Sequence, residues 1–200
     1  MQSITLLIID ESGSMGGMED FVQETYNGII QEMILELTEF PELNQFIEVW
    51  TFEGRNINQR LPFMEISSQL IPTKLKYQPL GNTPLFDAMG RSLEGMQSRI
   101  ENFPDLAEAQ VNVGIITDGV ENSSREYSGS EIKQLVSSLT EKNWKFSYYG
   151  TEHDVDEIAE RLSIKNRLRF SKDSTGFEEL RKSYVSESKM HKSAYIKLKE

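Results

Sequence analysis

The pattern of apolar and polar positions along this chain changes repeatedly between two periods. An apolar run over residues 4–9 is typical of a strand that is covered on both faces of a parallel sheet. Residues 21–39 then place apolar side chains at three- and four-residue steps, which predicts a helix that ends before Pro41. The chain therefore begins as a strand followed by a helix.

The same alternation continues to the end of the chain. We predict strands over residues 46–52, 60–66, 111–117, 144–150 and 168–170, and helices over residues 84–100, 132–142, 154–162 and 176–192. Turn residues at 53–58 predict that the third strand returns antiparallel to the second. Because strands alternate with helices, we expect a doubly wound α/β fold. Its six-stranded sheet should be mostly parallel, with one antiparallel edge strand and helices on both faces.

The length and net charge of the chain limit the number of domains and the classes of ligand that we expect. Two hundred residues suit one domain, which we place at residues 1–192, with a tail at 193–200. The net charge of −11 argues against a nucleic-acid ligand and against docking on anionic membranes. The chain has no cysteine, so it has neither a disulfide nor a thiolate metal site. The amino terminus shows no signal or membrane segment, and we expect a cytoplasmic protein.

Oxygen-bearing side chains follow the first predicted strand. Asp10, Ser12 and Ser14 have the same parity, so an extended backbone would point their oxygens to one side. One carboxylate and two hydroxyls form a partial cage for a hard cation such as Mg²⁺. The carboxyl end of a central parallel strand is also where open α/β sheets bind ligands. The sequence thus predicts a cation site at this sheet edge.

The Asp-x-Ser-x-Ser pattern resembles the metal-ion-dependent adhesion site of von Willebrand factor A (VWA) domains. Residues 81–88 are similar to the second loop of that family, in which a Thr hydroxyl joins the metal shell. Residues 117–119, Thr-Asp-Gly after a buried strand, are similar to the third loop. The resemblance covers nearly all of the chain up to residue 192. It implies that five side chains hold the metal: Asp10, Ser12, Ser14, Thr83 and Asp118.

Two of these residues also have an ordinary structural interpretation. Thr83 precedes Pro84 at the start of a predicted helix, where a hydroxyl commonly caps the first turn. Asp118 lies at a strand end, where an aspartate often bonds its own backbone in a turn. Because the first motif is present, we favour the metal role for both.

The resemblance implies a function in recognition without a chemical reaction. In this family an Asp or Glu of a protein partner completes the coordination shell of the ion, here Mg²⁺, with Mn²⁺ or Ca²⁺ as alternatives. We therefore predict a protein-binding adaptor or assembly factor that is not an enzyme. Short stand-alone chains of this kind resemble bacterial proteins, among them the tellurium-resistance-associated type. The sequence does not indicate the oligomeric state or the identity of the partner.

Residues near the predicted site are candidates for specificity. Met15 and Met18 are the strongest of them, because exposed methionines make adaptable contact surfaces. The other candidates lie in the neighbouring loops: Glu11, Glu53, Arg55, Asn82, Glu121, Asn122, Arg125 and His153.

Three alternatives stay open. Asp10 could be the nucleophile of a Mg²⁺-dependent phosphatase, although such enzymes need a second Asp where this chain has Ser12. Ser14 could be a hydrolase nucleophile with Asp118 and His153, although the nucleophile elbow lacks its first glycine. The domain could also be a scaffold in which the metal site is vestigial.

Overall fold

Strands and helices alternate through residues 1–151 and 155–200, which the computed structural model describes. The strands are β1 (Gln2–Asp10), β2 (Asn44–Glu53), β3 (Asn56–Glu65), β4 (Gln110–Ile116), β5 (Trp144–Gly150) and β6 (Asn166–Arg169). The helices are α1 (Glu19–Glu39), α2 (Leu85–Asn102), α3 (Gly129–Thr140), α4 (Val155–Arg161) and α5 (Ser174–Lys199). No helix of these residues is long and apolar enough to cross a membrane.

The strands form one sheet in the order β3-β2-β1-β4-β5-β6. Every neighbouring pair is parallel except β2 and β3, which are antiparallel at the edge. The chain adds strands on one side of β1 and then, from β4 onward, on the other. The structure confirms the predicted fold class, and it places the topological switch point between β1 and β4.

Strand β1 is covered on both faces, which explains its uninterrupted apolar run. Leu6 and Ile8 belong to the core that α2, α3 and α4 cover. Leu7 and Ile9 belong to the opposite core, which α1 and α5 cover. All four side chains are at most 2% exposed. Since each face buries a separate core, β1 cannot shift by one residue without exchanging the two sets.

Helix α5 is longer than predicted. It continues to Lys199, whereas the sequence placed its end at about Lys192 and a tail at 193–200. Tyr195 is buried with Phe40 and Leu43, and its hydroxyl donates to the Glu108 carbonyl at 2.7 Å. The apolar stripe of this helix is interrupted by a charged residue, Lys192, and so the sequence pattern understated its length.

Lys192 is itself fully buried in a polar contact between three elements. Its ammonium donates to Glu36 on α1 and, at 2.8 Å, to Gln45 on β2. Burial raises the pKa of Glu36 and lowers the pKa of Lys192, and in each case the partner's charge opposes the effect of burial. The pair therefore ties α5 to α1 and to the sheet.

We expect Lys192→Ala to destabilise the protein strongly, because Glu36 would be left buried without a counter-charge. Breaking a buried ion pair in this way costs about 3–5 kcal/mol of unfolding free energy. Urea denaturation measures this loss. Lys182→Ala is the matched control, since Lys182 lies on the same helix in an exposed pair with Glu178, and it should leave stability nearly unchanged. Equal stability of the two variants would contradict the conclusion that the buried Lys192–Glu36 pair stabilises the fold.

Candidate metal centre

Three loops meet at the carboxyl edge of the sheet, beside the switch point. Asp10 is the last residue of β1, and Asp118 follows the end of the adjacent strand β4 by two residues. Ser12 and Ser14 lie in the turn after β1, and Thr83 lies just before α2. The topology thus brings the ends of two buried strands and the start of one helix to one place.

Hydrogen bonds join four of the five predicted site residues. Ser14 Oγ donates to Asp118 Oδ1 at 2.7 Å, and the hydroxyls of Ser12 and Ser14 are 3.2 Å apart. The backbone N–H of Ser12 donates to Asp10 Oδ1 at 2.7 Å. These four side chains form one oxygen cluster, although Ser14 and Asp118 are 104 residues apart in sequence.

Thr83 lies beside the same cluster, next to Gly119. A methyl group at Gly119 would lie 2.9 Å from Thr83 Oγ1 and 3.7 Å from Asp10 Oδ2. The threonine hydroxyl and the Asp10 carboxylate therefore approach the same glycine. The absence of a side chain at position 119 leaves the space between these two oxygens open.

The capping interpretation of Thr83 is wrong. Helix α2 begins at Leu85 with Pro84 in the N-cap position, and no side chain of the cap accepts a hydrogen bond there. Two residues of the loop after β4 bind the first helical amides instead. Glu121 accepts from Phe86 N at 2.9 Å, and Ser124 accepts from Asp87 N at 3.0 Å. The hydroxyl of Thr83 therefore plays no part in capping α2.

The cluster is buried on one side and open on the other. Asp10, Ser12 and Thr83 are at most 3% exposed, whereas Ser14 is exposed. Solvent, and hence a ligand, reaches the oxygens from the side of Ser14. This arrangement suits an ion that buried oxygens bind on one side and whose remaining coordination position faces solvent.

The carboxyl group of Asp10 has a raised pKa because it is buried. Burial raises the pKa of Asp10 to about 6, against the opposing influence of hydrogen bonds from Thr117 and Ser12. Thr117 Oγ1 donates to Asp10 Oδ2 at 2.6 Å. The nearby charge of Asp118 raises the pKa further. A cation at this point would relieve both unfavourable influences.

Sequence reasoning missed Lys172, a cationic side chain that lies next to the cluster. Its ammonium lies 2.9 Å from Asp118 Oδ2. Lys172 follows the end of β6, and the only sequence signal was its place after the last parallel strand. Its partner could not be identified before the strand order was known.

Several predicted specificity residues are structural instead. The expectation that Met15 and Met18 are exposed is wrong: they are 0% and 4% exposed and pack in the core under α1 and α5. Glu11 is buried against Arg60 at 2.8 Å. Asn122 accepts the backbone N–H of Thr83 at 2.9 Å and so positions that residue.

Other candidates keep their accessibility. Arg55, Asn82 and Arg125 are exposed, and Glu53 is half-buried. His153 lies outside the described residues. Arg55 and Arg125 lie in the loops that follow β2 and β4, whose carboxyl ends are at this edge of the sheet.

The enzymatic alternatives gain no support from the geometry. Ser14 donates to a carboxylate, and among the described residues the histidine is His191, which is hydrogen-bonded to Asn112 on β4 at 3.1 Å. At position 12, the serine hydroxyl contacts Ser14 and offers no acid for proton transfer.

The residues present fit a hard divalent cation. All five side chains offer oxygen, which Mg²⁺, Mn²⁺ and Ca²⁺ prefer, and the two carboxylates balance a charge of +2. Among the described residues, no three Asp, Glu or His side chains form a group that could hold a metal. The candidate centre therefore depends on its three hydroxyl groups as well as on Asp10 and Asp118.

The raised pKa of Asp10 predicts a pH dependence of stability in the metal-stripped protein. The folded state binds this proton more tightly than the unfolded chain, in which the pKa is near its usual 3.8. The stability that Asp10 contributes is thus complete below pH 4 and is lost as pH rises through 6. Relative to Asp10→Asn, the wild type should lose on the order of 2–3 kcal/mol over this range.

Urea denaturation in the presence of a chelator, at pH values from 4 to 7, measures this difference. A gap between the wild type and Asp10→Asn that does not change with pH would contradict the prediction. The comparison removes the contributions of the other carboxyl groups, because both proteins carry them.

Solved structures with very different sequences share this architecture. The VWA domain of SpRpn10 matches with a TM-score of 0.60 at 10% identity, over 90% of this chain and 94% of that domain. Manganese-loaded TRAP from Plasmodium vivax matches with a TM-score of 0.55 at 16% identity, over 92% of this chain and 73% of that one. The pilus adhesin SpaC from Lactobacillus rhamnosus GG, in an open conformation, has a TM-score of 0.62 at 9% identity.

The match to SpaC covers 98% of this chain and 30% of the adhesin, so this chain spans about a third of that protein. No protein-family model and no curated protein matches the sequence. At such low sequence identities, the similarity to these structures shows the fold alone. The chain has the α/β fold of von Willebrand factor A domains.

Proposed function

We propose that this chain is a metal-dependent protein-binding module. Asp10, Ser12, Ser14, Thr83 and Asp118 hold a Mg²⁺-type ion at the carboxyl edge of the sheet. An Asp or Glu of a protein partner completes the coordination shell. The module acts as an adaptor or assembly factor in the cytoplasm.

One observation carries this proposal: five oxygen-bearing side chains from three separate loops meet at the switch point of the sheet. Four of them are joined by hydrogen bonds, and the fifth approaches the same glycine as Asp10. Thr83 has no role in capping its helix, so capping does not explain the place of its hydroxyl group. A hard cation gives these oxygens a common partner.

The charge of the site supports a carboxylate as the incoming ligand. Asp10 and Asp118 neutralise a divalent ion, and the hydroxyl groups add no charge. A metal with balanced charge and an open position accepts one more anionic oxygen readily. Because Ser14 is on the exposed side, that position faces solvent, where a partner side chain can reach it.

The proposal covers more than one metal. The oxygen ligands suit Mg²⁺, and also Mn²⁺ or Ca²⁺. The manganese-loaded structure with the same fold supports Mn²⁺ as a practical substitute in experiments. The fold shared with a pilus adhesin supports recognition as the class of function.

Calorimetric titration of the metal-stripped protein with Mg²⁺ and with Mn²⁺ tests the site. We expect Asp118→Asn to abolish binding and Thr83→Val to weaken it by about tenfold or more, as is usual when a group that supports a metal is removed. Thr38→Val is the matched control, because Thr38 is exposed on α1 and its hydroxyl bonds only its own helix. A folded wild-type protein that binds neither ion would contradict the proposal and favour a vestigial site.

Gly119→Ala tests the space between Thr83 and Asp10. The added methyl group would lie 2.9 Å from Thr83 Oγ1, closer than such contacts normally allow. We expect a clear loss of Mg²⁺ affinity with the fold intact by circular dichroism. Gly95→Ala is the control, since a methyl group on that residue of α2 meets nothing within 4 Å. Unchanged affinity in Gly119→Ala would place the ion elsewhere.

The carboxylate step needs its own measurement. Titration of the Mg²⁺-loaded protein with acetate or glutamate should show binding that disappears in the presence of a chelator. A variant that has lost the metal and still binds its protein partner normally would contradict the adhesion mechanism.

A further inference from the structure

We propose that Lys172 is a built-in competitor of the metal. In the metal-free protein its ammonium compensates the charge of Asp118, and a divalent ion binds only by displacing it. This inference rests on the proposed function, because it concerns the same site. It makes Lys172 a determinant of metal affinity that no sequence motif indicated.

The contacts of Asp118 carry the argument. Lys172 Nζ lies 2.9 Å from Oδ2, and Ser14 Oγ lies 2.7 Å from Oδ1. The side chain of Asp118 is 0% exposed in this ion pair. Ser14 therefore holds Oδ1, whereas the ammonium lies against Oδ2 as a charge contact, since Oδ2 accepts no hydrogen bond from the described residues. A metal ion bound at Oδ2 would lie next to this ammonium.

The local charge makes coexistence unfavourable. Two carboxylates, Asp10 and Asp118, belong to the cluster, and the neighbouring Glu11 is already neutralised by Arg60 at 2.8 Å. With Lys172 in place the cluster has a net charge of −1. Adding a divalent ion would put two cations next to the same carboxylate, where like charges repel strongly. Release of the ammonium restores balance between two carboxylates and one divalent ion.

The structure allows Lys172 to leave without moving the backbone. Its side chain is 34% exposed, so the ammonium has water beside it. The next residue, Asp173, caps α5 by accepting the N–H of Gly176 at 2.9 Å. The backbone is anchored there, while the four-carbon stem of lysine rotates freely once its ion pair is broken.

Calorimetric titration of metal-stripped protein with Mg²⁺ compares the wild type with Lys172→Met. We expect the variant to bind Mg²⁺ about tenfold more tightly, because the competing positive charge beside Asp118 is removed. Lys182→Met is the control: it changes the net charge equally, but Lys182 pairs with Glu178 on α5. Equal affinities of the wild type and Lys172→Met would overturn the competition and leave the proposed function intact. Failure of both proteins to bind Mg²⁺ would overturn both proposals.

Chemical labelling gives a second, independent readout. The rate at which an acylating reagent modifies Lys172, followed by mass spectrometry, should rise when Mg²⁺ is added to the wild type. In Asp118→Asn it should be high from the start and should not respond to Mg²⁺. If Mg²⁺ binds to the wild type and the labelling rate stays constant, Lys172 is not displaced and the proposal is wrong.

Discussion

The burial of β1 on both faces is the constraint on which the rest of this structure depends. Its side chains are divided between two separate cores, and its backbone pairs in register with β2 and β4. The strand can therefore neither slide nor rotate. Asp10, at its end, is delivered to one place at the carboxyl edge, and the site assembles around a carboxylate whose position the hydrophobic core has set.

Burial at that position destabilises the charged form of the Asp10 carboxyl group, and hydrogen bonds from the surrounding loops partly offset this effect. Thr117 and the amide of Ser12 donate to its carboxylate, and Tyr77 donates to its carbonyl oxygen. Burial still raises the pKa of Asp10 to about 6. Perturbed carboxyl groups of this kind cluster at functional sites, where burial and neighbouring like charges shift the pKa. The charge of the buried Asp118 carboxylate is balanced by the ammonium group of Lys172.

Several acidic residues of this chain stabilise its structure, which the composition alone did not indicate. Glu11 is buried in an ion pair with Arg60, and Glu36 in one with Lys192. Asp87 accepts three backbone N–H groups, those of residues 125, 126 and 127, and so shapes the loop after β4. Glu121 caps α2 from the same loop. These carboxylates hold the site loops in place, and that role separates them from the two that face the cluster.

The sequence by itself determined the order of strands and helices and the antiparallel edge, and it predicted five oxygen-bearing residues for a metal site, because period and motif are properties of neighbouring positions. Tertiary structure alone decided the rest. It buried Met15 and Met18, extended α5 to Lys199, and brought Lys172 to a carboxylate 54 residues away. Contacts of this second kind depend on strand order and on which faces are covered, and the local pattern of residues does not encode either of them.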